Sequence, residues 1–324
     1  MNLLFTLPGM KIHLQLAGKF NIVIGDSGTG KSYLRQLAED IRDLSPVGEG
    51  QPMPICGDDR LVEFWSREFK GALMVIDEGK DLEVWHKLVR SMMESNNYYI
   101  ICTREGNASI PYGVDTTFVL KRTSNSIRML PAYTSLPLSK NPVGFSSVLT
   151  EDGGVGFRVA QLKSKVPVTP ANGKDNLAPV LESMLRRTLV IFDSCGIGAS
   201  FPSMLRTATN MGAILYDSRS FEYEVLTKVF AMTDTEGYLD HCLQSNSEES
   251  YWAKRLALTL NTLYGIGYSK SSDELTHLLV YGKGVVSGRF VDLSTQGYDT
   301  SELYPFLEQS DARPASSGLK KLEL

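Results

Sequence analysis

The stretch that most constrains this chain is a glycine-rich turn followed at once by lysine and serine. It reads Gly25-Asp26-Ser27-Gly28-Thr29-Gly30-Lys31-Ser32, a full match to G-x-x-x-x-G-K-[ST]. Apolar Ile22-Val23-Ile24 precedes it and predicts a short strand. Leu34, Leu37, Ala38 and Ile41 follow at helical spacing, which predicts an amphipathic helix from Lys31 to about Asp43. A strand that turns through glycines into a helix makes an anion cradle. Glycine lets the backbone approach a phosphate, and the first helical N–H groups have no partner within the helix. Gly25, Asp26, Ser27, Gly28, Thr29 and Gly30 are therefore read as the loop that wraps the phosphates of a nucleotide. Lys31 would reach the β- and γ-phosphates, and the Ser32 hydroxyl would hold Mg²⁺. The expected cofactors are ATP and Mg²⁺. No Asn-Lys-x-Asp run, the usual reader of guanine, occurs in the chain.

A second anchor is Ala72-Leu73-Met74-Val75-Ile76-Asp77-Glu78. Its unbroken apolar run suits a strand buried on both faces, as in a parallel sheet. Asp77 is assigned with Ser32 to the metal, and Glu78 to the attacking water. Lys31 and Glu78 form the expected catalytic pair. The next apolar run, Tyr98 to Cys102, ends in Thr103-Arg104-Glu105, and Thr103 is placed near the γ-phosphate. Helices are expected over 59–70, with Leu61, Phe64, Trp65 and Phe69 inward, and over 82–95. Two short strands, Leu3–Thr6 and Lys11–Leu16, come before the loop, and a hairpin is expected over Thr116–Leu130.

Taken together, residues 1–133 resemble the ATP-binding-cassette-like branch of P-loop ATPases, which includes recombination, chromosome-maintenance and OLD-type ATPases. The resemblance rests on the glycine loop, the strand ending in Asp77-Glu78 and the strand ending in Thr103-Arg104. Two features depart from it. The chain has no Leu-Ser-Gly-Gly signature, and Arg104 stands where that group has a histidine after the threonine. The resemblance implies a P-loop NTPase parallel-sheet domain of α/β class that hydrolyses ATP.

Beyond residue 133 the texture changes. Residues 134–175 carry several prolines and read as a linker, with a β-hairpin over Val148–Leu162 turning at Asp152-Gly153-Gly154. Residues 176–310 read as a second, smaller α/β Rossmann-like domain with C-terminal helices. Its strands, Leu189–Asp193 and Ala213–Asp217, end in acids at the edge where open α/β sheets bind ligands. His277 lies among leucines and is expected in the core. This half faintly resembles a degenerate Toprim module. Toprim has a glutamate after its first strand and an Asp-x-Asp later, whereas Asp193 and Asp217-Ser218-Arg219 are the acids read here. Residues 311–324 read as a disordered tail.

The expected function is a Mg²⁺-dependent ATPase whose nucleotide state controls an unidentified protein or nucleic-acid partner through the second domain. A nucleotide-gated scaffold with little hydrolysis, and an ATPase joined to a Toprim-like nuclease, are the alternatives. A homo-oligomer is open. The net charge of −4 gives no global basic footprint for nucleic acid. No apolar run approaches a membrane span, and the four cysteines form no C-x-x-C pair, so a cytoplasmic protein with reduced thiols is expected.

Overall fold

The structure is a computed structural model. It describes residues 1–26, 28–44, 54–57, 59–77, 82–104, 110–135, 144–184, 187–233, 237–286, 288–308 and 322–323. The class is α/β. The chain divides into two compact units: residues 1–133 with 235–251, and residues 134–234 with 252–323.

The first unit is built on an eight-stranded mixed sheet. Its strands are β1 (Asn2–Leu7), β2 (Met10–Gln15), β3 (Phe20–Ile24), β4 (Pro54–Gly57), β5 (Leu73–Asp77), β6 (Tyr98–Thr103), β7 (Thr117–Arg122) and β8 (Ser126–Pro131). They lie in the order β1-β2-β8-β7-β3-β6-β5-β4. The central β3, β6 and β5 run parallel, and the β1–β2 and β7–β8 hairpins are antiparallel. Helices α1 (Lys31–Leu44), α2 (Asp59–Glu68) and α3 (Leu82–Glu94) connect the strands. Strand alternation sorts the core into two layers. Val23, Val75 and Cys102 pack with Leu34, Leu37, Ala38 and Ile41 of α1. Ile22, Met74, Ile76, Tyr99 and Ile101 pack with Val62 of α2 and Leu88 and Met92 of α3.

Two details hold the loop strand. Asn21 is fully buried, and its Oδ1 accepts from the N–H groups of Ala17 (2.8 Å) and Gly18 (3.4 Å). Its Nδ2 donates to the carbonyls of Gly18 (2.9 Å) and Tyr99 (3.1 Å), so the turn entering β3 is tied to β6. The helix phase of α2 corrects one expectation. Val62 and Ser66 point inward, Trp65 and Phe69 are half-buried, and Phe64 is 59% exposed.

The first unit also contains α8 (Tyr238–Ser245), a return of the chain from far along the sequence. Tyr98 donates to Asp240 Oδ1 at 2.8 Å, and Leu243 joins the α1 core layer. Lys19 is buried, and its Nζ donates to the carbonyls of Met93 and Ser95, both at 2.6 Å, and of Leu243 at 3.4 Å. Burial lowers the Lys19 ammonium from 10.5 to about 8. The unfolded chain then holds that proton more tightly than the folded one. Unfolding takes up a proton between these values, so this contribution to stability rises as pH rises through the window. The urea midpoint of the parent protein is expected to climb relative to Lys19→Met between roughly pH 8 and pH 10. A midpoint difference that stays flat over that range would mean that Lys19 remains charged.

The second unit holds a four-stranded, all-parallel sheet in the order β11-β10-β12-β13. Its strands are β10 (Ser147–Thr150), β11 (Val168–Pro170), β12 (Thr188–Asp193) and β13 (Ile214–Ser218). The unit also holds α4 (Val155–Lys163), α5 (Leu177–Ser183), α6 (Phe201–Met211), α7 (Phe221–Glu224, continued by a π-turn over Val225–Val229), α9 (Glu248–Tyr264) from Trp252 onward, and α10 (Asp273–Tyr281). A hairpin, β14 (Lys283–Val286) and β15 (Arg289–Asp292), follows α10. Thr134–Ser135 (β9) pairs with Leu322–Glu323 (β16), and the rest of the expected tail, residues 311–321 and 324, lies outside the described residues.

The hairpin expected over 148–162 is a strand followed by a helix. Val148 and Leu149 are buried between two parallel neighbours, and that burial, unlike a hairpin's, needs no adjacent partner. Asp152 Oδ1 then accepts the Gly154 N–H at 3.0 Å, and the chain enters α4 at Val155. So the segment read as a linker falls in the second unit and supplies two strands of its sheet and a helix. His277 is exposed rather than in the core. Its ring meets the Lys283 carbonyl through Nδ1 at 2.7 Å and packs on Tyr281.

Candidate functional site

The glycine loop sits at the carboxyl end of β3, where it turns into α1. Gly25, Gly28 and Gly30 have φ of +150°, +89° and +98°, values that L side chains rarely adopt. At Gly25 the space is closed as well, because a Cβ there would lie 3.0 Å from Thr29 Oγ1. Thr29 ties the turn by donating from Oγ1 to the Asp26 carbonyl at 2.9 Å. The Asp26 side chain faces solvent. Leu34 N–H donates to the Gly30 carbonyl at 2.8 Å, which starts the helix at the end of the loop. Lys31 is 9% exposed. Its ammonium donates to the Gly25 carbonyl, to the Asp26 carbonyl at 2.8 Å and to Thr29 Oγ1 at 3.4 Å. The charge therefore lies inside the curl of the loop.

Ser32 and Asp77 are brought together. Ser32 Oγ donates to Asp77 Oδ2 at 3.0 Å. The contact follows from register. Val23, Cys102 and Asp77 share a row across β3, β6 and β5, on the face that carries α1. Asp77 ends its strand on that face, and Ser32 lies in the first turn of the helix packed there. A hydroxyl beside a carboxylate is a donor set suited to Mg²⁺. Thr103 is 1% exposed and occupies the next row, beside Ile24, so alternation turns it to the opposite face from Asp77. Ser27, Glu78 and Glu105 lie outside the described residues.

No protein-family model matches this chain, and no curated protein matches it. No helix among the described residues is long and apolar enough to cross a membrane.

The second unit has its own concentration of acids, at the carboxyl ends of its strands. Glu151 directly follows β10, and its Oε2 accepts the Asp193 N–H at 3.0 Å. Burial pushes the Asp193 carboxyl well above its ordinary 3.8. The negative charges of Glu151, Glu222 and Asp152 push the same way, against the pull of Lys270. Glu222, in the first turn of α7, is 1% exposed. Its Oε1 accepts from the Tyr268 hydroxyl at 2.7 Å. Burial first, and then Glu222, raise the Tyr268 phenol, which keeps it a donor. Among the described residues no group of three or more acidic, histidine or cysteine side chains is placed to hold a metal ion.

The acids paired in the sequence reading do not share a face. Asp193 lies in register with Ser218, and Asp217 with Phe192. One step along a strand flips the side chain, so Asp193 and Asp217 point to opposite sides of the sheet. Glu151 was missed because its strand was read as one arm of a hairpin. The available signal was the acid standing immediately after a buried apolar run.

Proposed function

We propose that this chain is a Mg²⁺-dependent ATPase, with a P-loop nucleotide-binding domain in the first unit and a Rossmann-like second unit that passes the nucleotide state to a partner. The observation that carries the reading is the hydrogen bond from Ser32 Oγ to Asp77 Oδ2. It joins the end of the glycine loop to the acid that ends β5, two groups far apart in sequence with complementary metal-ligand roles. When bound, Mg²⁺ would neutralise the charge of the phosphates. Ser32 and Asp77 would hold it. The loop amides and the α1 N-terminus would bind the phosphates, and Lys31 would exchange its loop carbonyls for phosphate oxygens. Glu78 is the residue proposed to orient the attacking water. The test is ATP binding and turnover by the purified protein, alone and with DNA or RNA added. Turnover supports the enzyme. Binding without turnover under every condition supports a nucleotide-gated scaffold.

A second reading concerns the other unit, and Glu151 favours it. The first strand of that sheet, β10, is followed by a glutamate, and Asp193 ends the neighbouring strand. This is the acid after a first strand that the Toprim-like comparison lacked in the sequence. Asp193-Ser194-Cys195 still departs from Asp-x-Asp. The reading is a divalent-cation-dependent activity on phosphodiesters. Incubation of the purified protein with DNA and RNA, with Mg²⁺ or Mn²⁺ and with chelator, tests it. Cleavage that requires the cation supports the reading, and intact nucleic acid under all conditions removes it.

A further inference from the structure

The first unit carries a surface that the nucleotide site does not use. Strands β1, β2, β7 and β8 contain no aspartate or glutamate, although the whole chain has a net charge of −4. Strand alternation sends Leu3, Ile12, Leu14, Phe118 and Ile127 inward, to the layer packed on α1. The opposite face is open. Lys11, Lys121 and Arg128 stand exposed on it, and Leu4 and Leu130 are 53% and 37% exposed. Register sets the cations side by side. His13 pairs with Arg128, Arg128 stands directly opposite Lys121, and Lys11 lies two residues from His13 along β2. Neighbouring strands are about 4.8 Å apart, so the row His13, Arg128, Lys121 spans about 10 Å. Lys11, Lys121 and Arg128 form no ion pair among the described residues. Like charges directly opposite each other across an antiparallel pair destabilise it. Here no carboxylate on the four strands offsets that repulsion, and an anion lying across them would.

We propose that the outward face of β1, β2, β8 and β7 docks the sugar–phosphate backbone of a nucleic-acid duplex, without reading its sequence. The inference goes beyond the function proposed above. It gives the first unit a docking surface of its own, and it needs neither bound nucleotide nor the acids of the second unit. Charge complementarity selects the occupant. A duplex presents closely spaced phosphates, and cations set at strand spacing meet several of them at once. Lys11 and Lys121 suit a phosphate as point charges, and Arg128 can hold one through two parallel hydrogen bonds. The outward positions carry no Phe, Tyr or Trp, and Phe5 and Phe118 of these strands point inward. The face therefore offers no platform on which unpaired bases could stack. That favours a duplex, whose bases are already stacked, over a single strand.

The test uses the full chain in chelator and without nucleotide, so that neither ATP nor a cation-dependent activity contributes. Binding of a short fluorescein-labelled DNA duplex is followed by anisotropy over a series of KCl concentrations. Three phosphate contacts predict that the logarithm of the binding constant falls with the logarithm of salt at a slope of about −3. Lys121→Gln and Arg128→Gln should each flatten that slope by about one. The double substitution should weaken binding on the order of tenfold or more at physiological salt, alike for duplexes of different sequence. Melting temperatures should equal or exceed the parent's, because a like-charge pair is gone and both side chains are exposed. A parent that binds no duplex overturns the proposal, and so does a double variant that binds as tightly as the parent. A parent that binds phosphatidylserine vesicles and leaves the duplex free also overturns it, and assigns the face to a membrane surface. ATP binding by the same protein is a separate measurement, so this proposal and the nucleotide reading can each fail alone.

Discussion

Lys31→Ala is expected to weaken ATP binding on the order of a hundredfold, about 3 kcal/mol, while leaving the fold in place. The size follows from what the ammonium would touch. Two charge-assisted contacts, to the β- and γ-phosphates, are stronger than neutral hydrogen bonds and are lost together. The fold should survive because Lys31 holds no core contact that depends on its charge. Its present partners are the Gly25 and Asp26 carbonyls and Thr29 Oγ1, at the mouth of a loop whose shape is set by glycines and by the Thr29 tie to Asp26. α1 remains anchored by buried Leu34, Leu37, Ala38 and Ile41. Equilibrium titration with ATP measures the loss, and a melting curve checks the fold. A Kd equal to the parent's would remove the nucleotide assignment from this loop.

The glycine loop was legible in sequence because its constraint is local. Three backbone positions need angles that suit glycine, the helix begins where the loop ends, and all of it lies within one short run. The Asp77 partner was legible for a related reason. A strand buried on both faces reads as an unbroken apolar run, and its polar end stands out. The second unit was legible only in part. The acids at 193 and 217 were visible, but which face each takes depends on register with a neighbouring strand, and a shift of one residue reverses it. β10 is four residues long and runs into Asp152-Gly153-Gly154, which is also good hairpin chemistry. Its true neighbours, β11 and β12, lie well downstream, so no local pattern announces them. The same limit hid the place of α8 in the first unit, though a helix over Tyr238–Gln244 is expected from the sequence. Nothing near Tyr238–Ser245 says that Asp240 and Leu243 meet Tyr98 and Lys19, residues more than a hundred positions earlier. Glu222 is the sharpest case. In sequence it is one acid in the first turn of a helix, where acids are common for the dipole alone. Only its burial and its bond from Tyr268 set it apart.

Glu78→Gln should separate binding from chemistry. The groups proposed to bind the nucleotide are the loop amides, Lys31, Ser32 and Asp77, and this substitution touches none of them. The Ser32–Asp77 hydrogen bond in particular is made without Glu78. ATP affinity should therefore stay within about twofold of the parent, since less than half a kcal/mol is at stake. Turnover should fall by roughly 10²- to 10⁴-fold, the usual worth of a general base. Glutamine keeps the size and one acceptor oxygen, so the loss reports the missing carboxylate rather than a collapsed site. Asp77→Asn is the complementary case. It weakens the metal ligand and should reduce affinity for Mg²⁺-ATP more than for ATP in chelator. The two variants thus predict opposite patterns, one in kcat with Kd kept, the other in Mg²⁺-dependent Kd. If Glu78→Gln turns over ATP at the parent rate, the water is oriented by another residue, and Glu105, after the strand that ends in Thr103, is the next to replace. If the parent protein binds ATP and shows no turnover to lose, the second unit is reading a bound nucleotide, and the scaffold takes the place of the enzyme.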